Sequence, residues 1–292
     1  MKRPDDECCD DIYALDEDAH ELFRAAQIGL TEGRVDEYLE YLCHLAFLFE
    51  ACSAEVCLQM LKTKSEEMYQ FVTNLYLSET QLEYLLFELC DPNSSIQTQV
   101  EIALYASADI RALKPVMDIH EVEQDNLTLE IITEIAEKRA TDERVLVAVP
   151  LFKSILQSSN ISEEMIEWGG YEAGEYRLIL ALHGFSRIAS HQDMEQSILE
   201  MRDRLIDITR LDLDSGVTEI IIEILARTDD PESVAFLRRL ATDPIYKTKV
   251  RMSLAESVPP DSEDLQAVQA RVGLLLASAL GGRGANLKGN MN

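Results

Sequence analysis

From about residue 17 to residue 280 the apolar side chains return with one period, close to 3.6 positions. A stretch with that period buries a continuous stripe only as an α-helix, because a half-buried strand needs strict alternation. Val145–Val149 and Ile220–Ile224 are branched enough to suggest strands, but each lies inside a longer helical pattern and reads as helix. An all-α fold is expected. The 12 glycines, 8 prolines and 7 % aromatic residues agree, since sheet folds use many turns and large strand-forming side chains. With 47 % apolar residues, disorder along the whole chain is excluded.

Helix boundaries are marked by polar residues. Asp18 can cap a helix through Leu22, Phe23, Ala26 and Leu30 that ends at Gly33. A second helix is expected from Val35 to Cys52, with Tyr38, Tyr41, Leu42, Leu45, Ala46, Leu48 and Phe49 as its apolar set. Ser53 and Ser65 open the next two. Ser78-x-x-Gln81 and Ser94-x-x-Gln97 have the form of capping boxes. Asp230-Pro231-Glu232 joins an N-cap to a proline at the first helical position, and Asp261–Asp264 starts a last helix ending at Gly281. Four segments follow: an acidic disordered tail (1–16), N-terminal helical pairs (17–90), helical repeats (91–280) and a disordered Gly/Asn-rich tail (281–292).

The repeats rest on local similarity. Residues 130–135 and 219–224 share Glu-Ile-Ile-x-Glu-Ile, each followed by a Thr-Asp turn and a second apolar helix. Tyr176–Ala189 with Ser190–Asp193 repeats the plan. Units beginning near 127, 175 and 217 have the spacing of helix-pair repeats. Residues 91–258 thus resemble an irregular HEAT-type α-solenoid, most clearly at Val234–Ala241 followed by Lys249–Ala255. Residues 19–49, with Ala19-x-x-Leu22 and Gly33-x-x-Asp36, resemble a tetratricopeptide-type pair. The resemblance implies stacked antiparallel helix pairs presenting an extended surface to another macromolecule.

Charge narrows the partners. The chain carries 54 acidic and 26 basic residues, a net charge of −28. Residues 1–60 hold 15 acids and 4 bases, whereas residues 241–292 hold 5 acids and 6 bases. Such a surface repels nucleic-acid phosphate and anionic lipid, and favours a protein with a basic surface. No apolar run reaches the roughly 20 residues that span a bilayer. The charged opening Met1–Glu7 has no hydrophobic core behind it, so a cytoplasmic location is expected.

No catalytic constellation stands out. Phosphate-binding loops and Gly-x-Ser-x-Gly elbows are absent. No CxxC occurs; Cys43, Cys52, Cys57 and Cys90 lie among apolar neighbours and read as buried thiols. Glu17-x-x-His20 lacks the second motif that a helical di-iron site needs, and Glu40 with His44 reads as a local pair. Neither a metal nor a cofactor is expected.

The candidate partner-binding segment is Ile166–Tyr176. It holds the only tryptophan, Trp168, with Tyr171, Glu172, Glu175 and Tyr176, and three glycines. Trp and Tyr are enriched at binding hot spots. A second candidate is a basic patch of Arg238, Arg239, Lys247, Lys249 and Arg251. The expected function is a non-catalytic adaptor binding a protein partner through a helical-repeat surface. The alternatives are an acidic inhibitor or immunity-type protein capping a basic enzyme, and a lyase-like enzyme on a helical-repeat scaffold.

Overall fold

The computed structural model describes residues 15–51, 53–91, 94–158, 173–210 and 215–242. Among these residues there are thirteen α-helices and no strand, as the period requires. Val145–Val149 forms the end of a 3-10 segment and the start of a helix, and Ile220–Ile224 lies inside a helix. The chain divides into two compact units, residues 1–139 and 140–292.

The first unit holds α1 (Glu17–Thr31), α2 (Asp36–Leu48), α3 (Ala54–Lys64), α4 (Glu66–Thr73), α5 (Glu79–Cys90), α6 (Gln97–Ser107), α7 (Leu113–Glu123) and α8 (Asn126–Lys138). Its boundaries follow capping chemistry. The cap of α1 is Asp16, not Asp18; its carboxylate accepts from Ala19 N at 2.8 Å and also bonds His44 Nε2 at 2.9 Å. His44 thus pairs across to α1 and not with Glu40 on its own helix. Ser53 and Ser65 cap α3 and α4, and Ser78 with Gln81 completes a capping box on α5. Gly33, at φ +83°, supplies the left-handed turn between α1 and α2 that other residues adopt at a cost.

Ser94 does not cap as its spacing suggests. Its hydroxyl donates to Glu88 at 2.8 Å, and α6 starts at Gln97 with Ile96 at the cap position and no side-chain cap. With its hydroxyl engaged by α5, Ser94 holds the incoming turn instead of the helix end.

A cluster of aromatic rings seals α1, α2 and α4. Phe23 meets Phe71 edge-on at 5.2 Å between centroids and Tyr41 at 5.8 Å, and Tyr38 meets Phe71 at 6.0 Å. The tyrosine hydroxyls, together with Cys57, lie in the same core. Burial pushes the Cys57 thiol up to about 12. Cys43 and Cys90, expected inside, are exposed. The reason is angular: α2 buries 38, 39, 41, 42 and 45, so position 43 turns outward, and Cys90 is the last residue of α5, beyond its buried stripe at 82, 85 and 89. Cys52 lies outside the described residues.

Helix α6 is the axis of this unit. It packs against α2, α3, α4, α5 and α8. Val100 through Leu104 are all buried in consequence, including the acidic Glu101.

The second unit holds α9 (Val149–Ser158), α10 (Ala173–Ile188), α11 (Glu195–Ile208), α12 (Ser215–Leu225) and α13 (Pro231–Thr242). Helices α9 and α10 approach closely: a Cβ added at Gly184 would lie 2.3 Å from the Phe152 ring. As the sequence suggests, Asp230 caps α13, accepting from Ser233 N at 2.8 Å. The helix expected from Asp261 to Gly281, the Gly/Asn-rich tail and residues 1–14 of the acidic tail lie outside the described residues, whereas Asp16, expected in that tail, caps α1.

A local plan recurs in helix, short 3-10 turn and second helix. It occurs at α6, Ile110–Ala112 and α7, and again at α10, Gln192–Met194 and α11. The 3-10 segment Glu143–Ala148 likewise leads into α9. Two of these turns share an Asp-x-Arg signature. In each, the aspartate accepts from the backbone N–H two residues on and grips that residue's guanidinium: Asp109 with Arg111, and Asp142 with Arg144.

Candidate functional site

The expected hot-spot segment is only partly visible. Trp168, Tyr171 and Glu172 lie outside the described residues. Glu175 and Tyr176 lie half-buried in the first turn of α10. Of the basic patch, Arg238 and Arg239 are exposed on α13, and Lys247, Lys249 and Arg251 lie outside the described residues. Arg239 lines a shallow recess with Asp203, Asp207 and Glu232, so it faces carboxylates of its own unit.

The most distinctive site is one that the sequence did not single out. Between the start of α3 and the flanks of α6 and α8 lies a recess of about 140 Å³. Helix α6 contributes Thr98, Glu101, Ile102 and Tyr105, and α8 contributes Leu127, Glu130 and Ile131. On α6 the spacing is i, i+3, i+4, i+7, one stripe of a helix, and α8 continues the same pattern to Glu134. Ser53 and Ala54 close the end. The lining therefore combines apolar Ala54, Ile102, Leu127 and Ile131 with acidic Glu101 and Glu130.

Glu101 is the anomaly. It is 8 % exposed, yet among the described residues its carboxyl has neither a hydrogen-bond donor nor a cation. Burial pushes it up to about 7, and the charges of Asp125 and Glu130 push the same way. Removing a carboxylate from water without a partner is among the costlier things a core can do.

The neighbouring polar groups are already engaged. The Tyr105 hydroxyl donates to Glu134, and burial with the surrounding carboxylates Glu134, Glu55 and Glu130 raises its pKa. Glu134 also pairs with Lys138 at 2.9 Å. Behind the recess, His120 Nδ1 bonds Thr128 Oγ1 at 2.8 Å, and Thr128 donates to Asp125 from its amide (2.7 Å) and its hydroxyl (3.0 Å). That chain caps α8 and fixes Asp125, the charge that acts on Glu101.

Its small size limits what the recess can hold. Sites for drug-sized ligands run from about 300 to 1,000 Å³. A volume of about 140 Å³ equals the share of roughly four or five water molecules in the liquid. One side chain or a small amine fits; a nucleotide or a flavin does not.

A larger hollow in the second unit, about 480 Å³, is lined by Leu146, Val149, Pro150 and Met194. It is open to solvent, and its Lys153 is paired with Glu200. Phe47 and Phe87 are 82 % and 69 % exposed. Taken singly, exposed residues of this kind are ordinary. No group of His, Cys, Asp and Glu among the described residues has the arrangement to hold a metal ion, and no described helix is long and apolar enough to cross a membrane.

A reading of the sequence could have reached Glu101. In Val100-Glu101-Ile102-Ala103-Leu104 the acid stands inside an apolar run instead of on a polar face. In a chain with 54 acids that signal was submerged. No family model, curated protein or solved structure matches the chain.

Proposed function

We propose that this chain is a non-catalytic adaptor, an irregular solenoid of stacked helix pairs that binds a protein partner with a basic surface. The observation that carries the reading is Glu101, a carboxyl only 8 % exposed that lines an acidic recess and has no hydrogen bond or ion pair among the described residues. An interior charge costs stability unless something offsets it, and a cation from another molecule does so on binding. The net charge of −28 favours such a partner during encounter. The recurrence of helix, Asp-x-Arg turn and helix supports the repeat reading. Affinity capture by the full chain, followed by calorimetry with the purified partner, tests it. A stoichiometric partner with a basic face is expected. Capture of nothing, or only of acidic proteins, overturns it.

One observation favours a second reading. A carboxyl pushed up to about 7 beside a tyrosine suits general acid–base work. The recess volume argues against it, because a substrate and its reacting bond would share a space the size of a few waters. Turnover of a small amine substrate, lost in Glu101→Gln, would favour it over the adaptor.

A further inference from the structure

We infer that the recess between α3, α6 and α8 is a lysine pocket: it takes the side chain of a single lysine from a partner protein. The inference deepens the adaptor reading and rests on it. Three features of the recess point to an alkylammonium group.

The first is length and volume. A lysine side chain is a four-carbon stem ending in a compact ammonium, close to the space available; arginine adds a broad planar guanidinium. The second is the mixed lining. Methylenes gain by lying along Ala54, Ile102, Leu127 and Ile131, while the charged end seeks the carboxylates, the usual division of a long cationic side chain.

The third is the arrangement of acceptors. Glu101 comes from α6 and Glu130 from α8, with hydroxyls of Ser53, Thr98 and Tyr105 in the same lining. Oxygen-bearing side chains contributed by several elements suit an ammonium with three rotatable donors. A guanidinium fork prefers both oxygens of one carboxylate in its plane. Cations available nearby are committed elsewhere: Lys138 is bound to Glu134 and Arg139 to the carbonyls of Ala108 and Ser107.

Binding of this kind depends on pH. The groups acting on Glu101 are Asp125, which begins α8, and Glu130 on α8. Glu55 and Glu134 act on Tyr105 beside it, and His120 stands behind Thr128. As pH falls through about 7, Glu101 takes up a proton and the ammonium loses its counter-charge, while an alkylamine remains protonated throughout.

The test is an amide chemical-shift titration of the full chain with n-butylammonium, n-propylguanidinium and n-butanol at matched ionic strength. Saturable shifts at residues 98–105 and 127–131 with n-butylammonium are expected, with a dissociation constant on the order of millimolar for so small a ligand. Glu101→Gln is expected to weaken binding at least tenfold and abolish the dependence on pH between about 6 and 8. Should that variant fail to fold, the wild-type pH profile alone decides: affinity that does not fall from pH 8 to pH 6 rejects the pocket. Stronger binding of propylguanidinium or butanol, or shifts unaltered in Glu101→Gln, also overturns the inference. A partner captured equally by wild type and Glu101→Gln removes the lysine pocket and leaves the adaptor standing. Absence of any partner, with butylammonium still bound at Glu101, marks the site as one for a free small amine and overturns the assignment to a partner lysine.

Discussion

At the scale of single residues, two buried side chains are held against their own interest. Glu101 has a folded pKa raised to about 7 from an ordinary 4.5. Above about 7 the folded state therefore carries the full cost of a buried charge, and below about 4.5 both states are protonated and the cost vanishes. Stability attributable to Glu101 should fall as pH rises across that window. Glu101→Gln removes the effect and is expected to be the more stable protein at pH 8, by about 1–2 kcal/mol after allowance for water in the recess, and no more stable at pH 4. Denaturation curves at the two pH values check this. The second case is Tyr38, fully buried with a hydroxyl that finds no partner among the described residues. Tyr38→Phe keeps the edge-on ring contact with Phe71 and deletes the orphan hydroxyl. It is expected to raise stability by about 1 kcal/mol. A fall in the melting temperature would show that the hydroxyl is satisfied.

Among the helices, packing turns on a few positions. Gly184 lets α10 lie against the Phe152 ring of α9. In Gly184→Ala the new Cβ meets the fully buried Phe152 ring, and a loss of about 1–3 kcal/mol is expected. Adding Phe152→Leu should restore part of it; a melting temperature unchanged in the single variant would refute the close approach. Ser78→Ala, which opens the capping box on α5, should cost about 1 kcal/mol in the same assay. These elements also show what can be read from sequence. Ser53, Ser65, Ser78 and Asp230 announce their helices because a cap is a local device, complete within four residues. Ser94 misleads because its hydroxyl is taken by Glu88, and Cys43 misleads because apolar neighbours in sequence are not neighbours on a helix face. The recess needed more again. Its stripes on α6 and α8 are each regular, but nothing in a linear chain says that the two stripes meet, or that α6 is surrounded and so buries its acid.

For the whole molecule, charge governs encounter and the recess governs what is held. A net charge of −28 should accelerate association with a basic partner at low salt. The rate is expected to fall roughly tenfold or more as salt rises from about 0.01 M to 1 M, while dissociation changes little. Stopped-flow mixing separates the two; an association rate indifferent to salt would remove charge from the account. Zero-length coupling reads the carboxylate–lysine contact itself. A carbodiimide joins a carboxylate to a lysine amine only when the two already touch, and mass spectrometry of the captured complex locates the bond. A link from Glu101 or Glu130 to one lysine of the partner is expected. Links confined to exposed acids elsewhere, with Glu101 and Glu130 unmodified in a complex that forms normally, would contradict it.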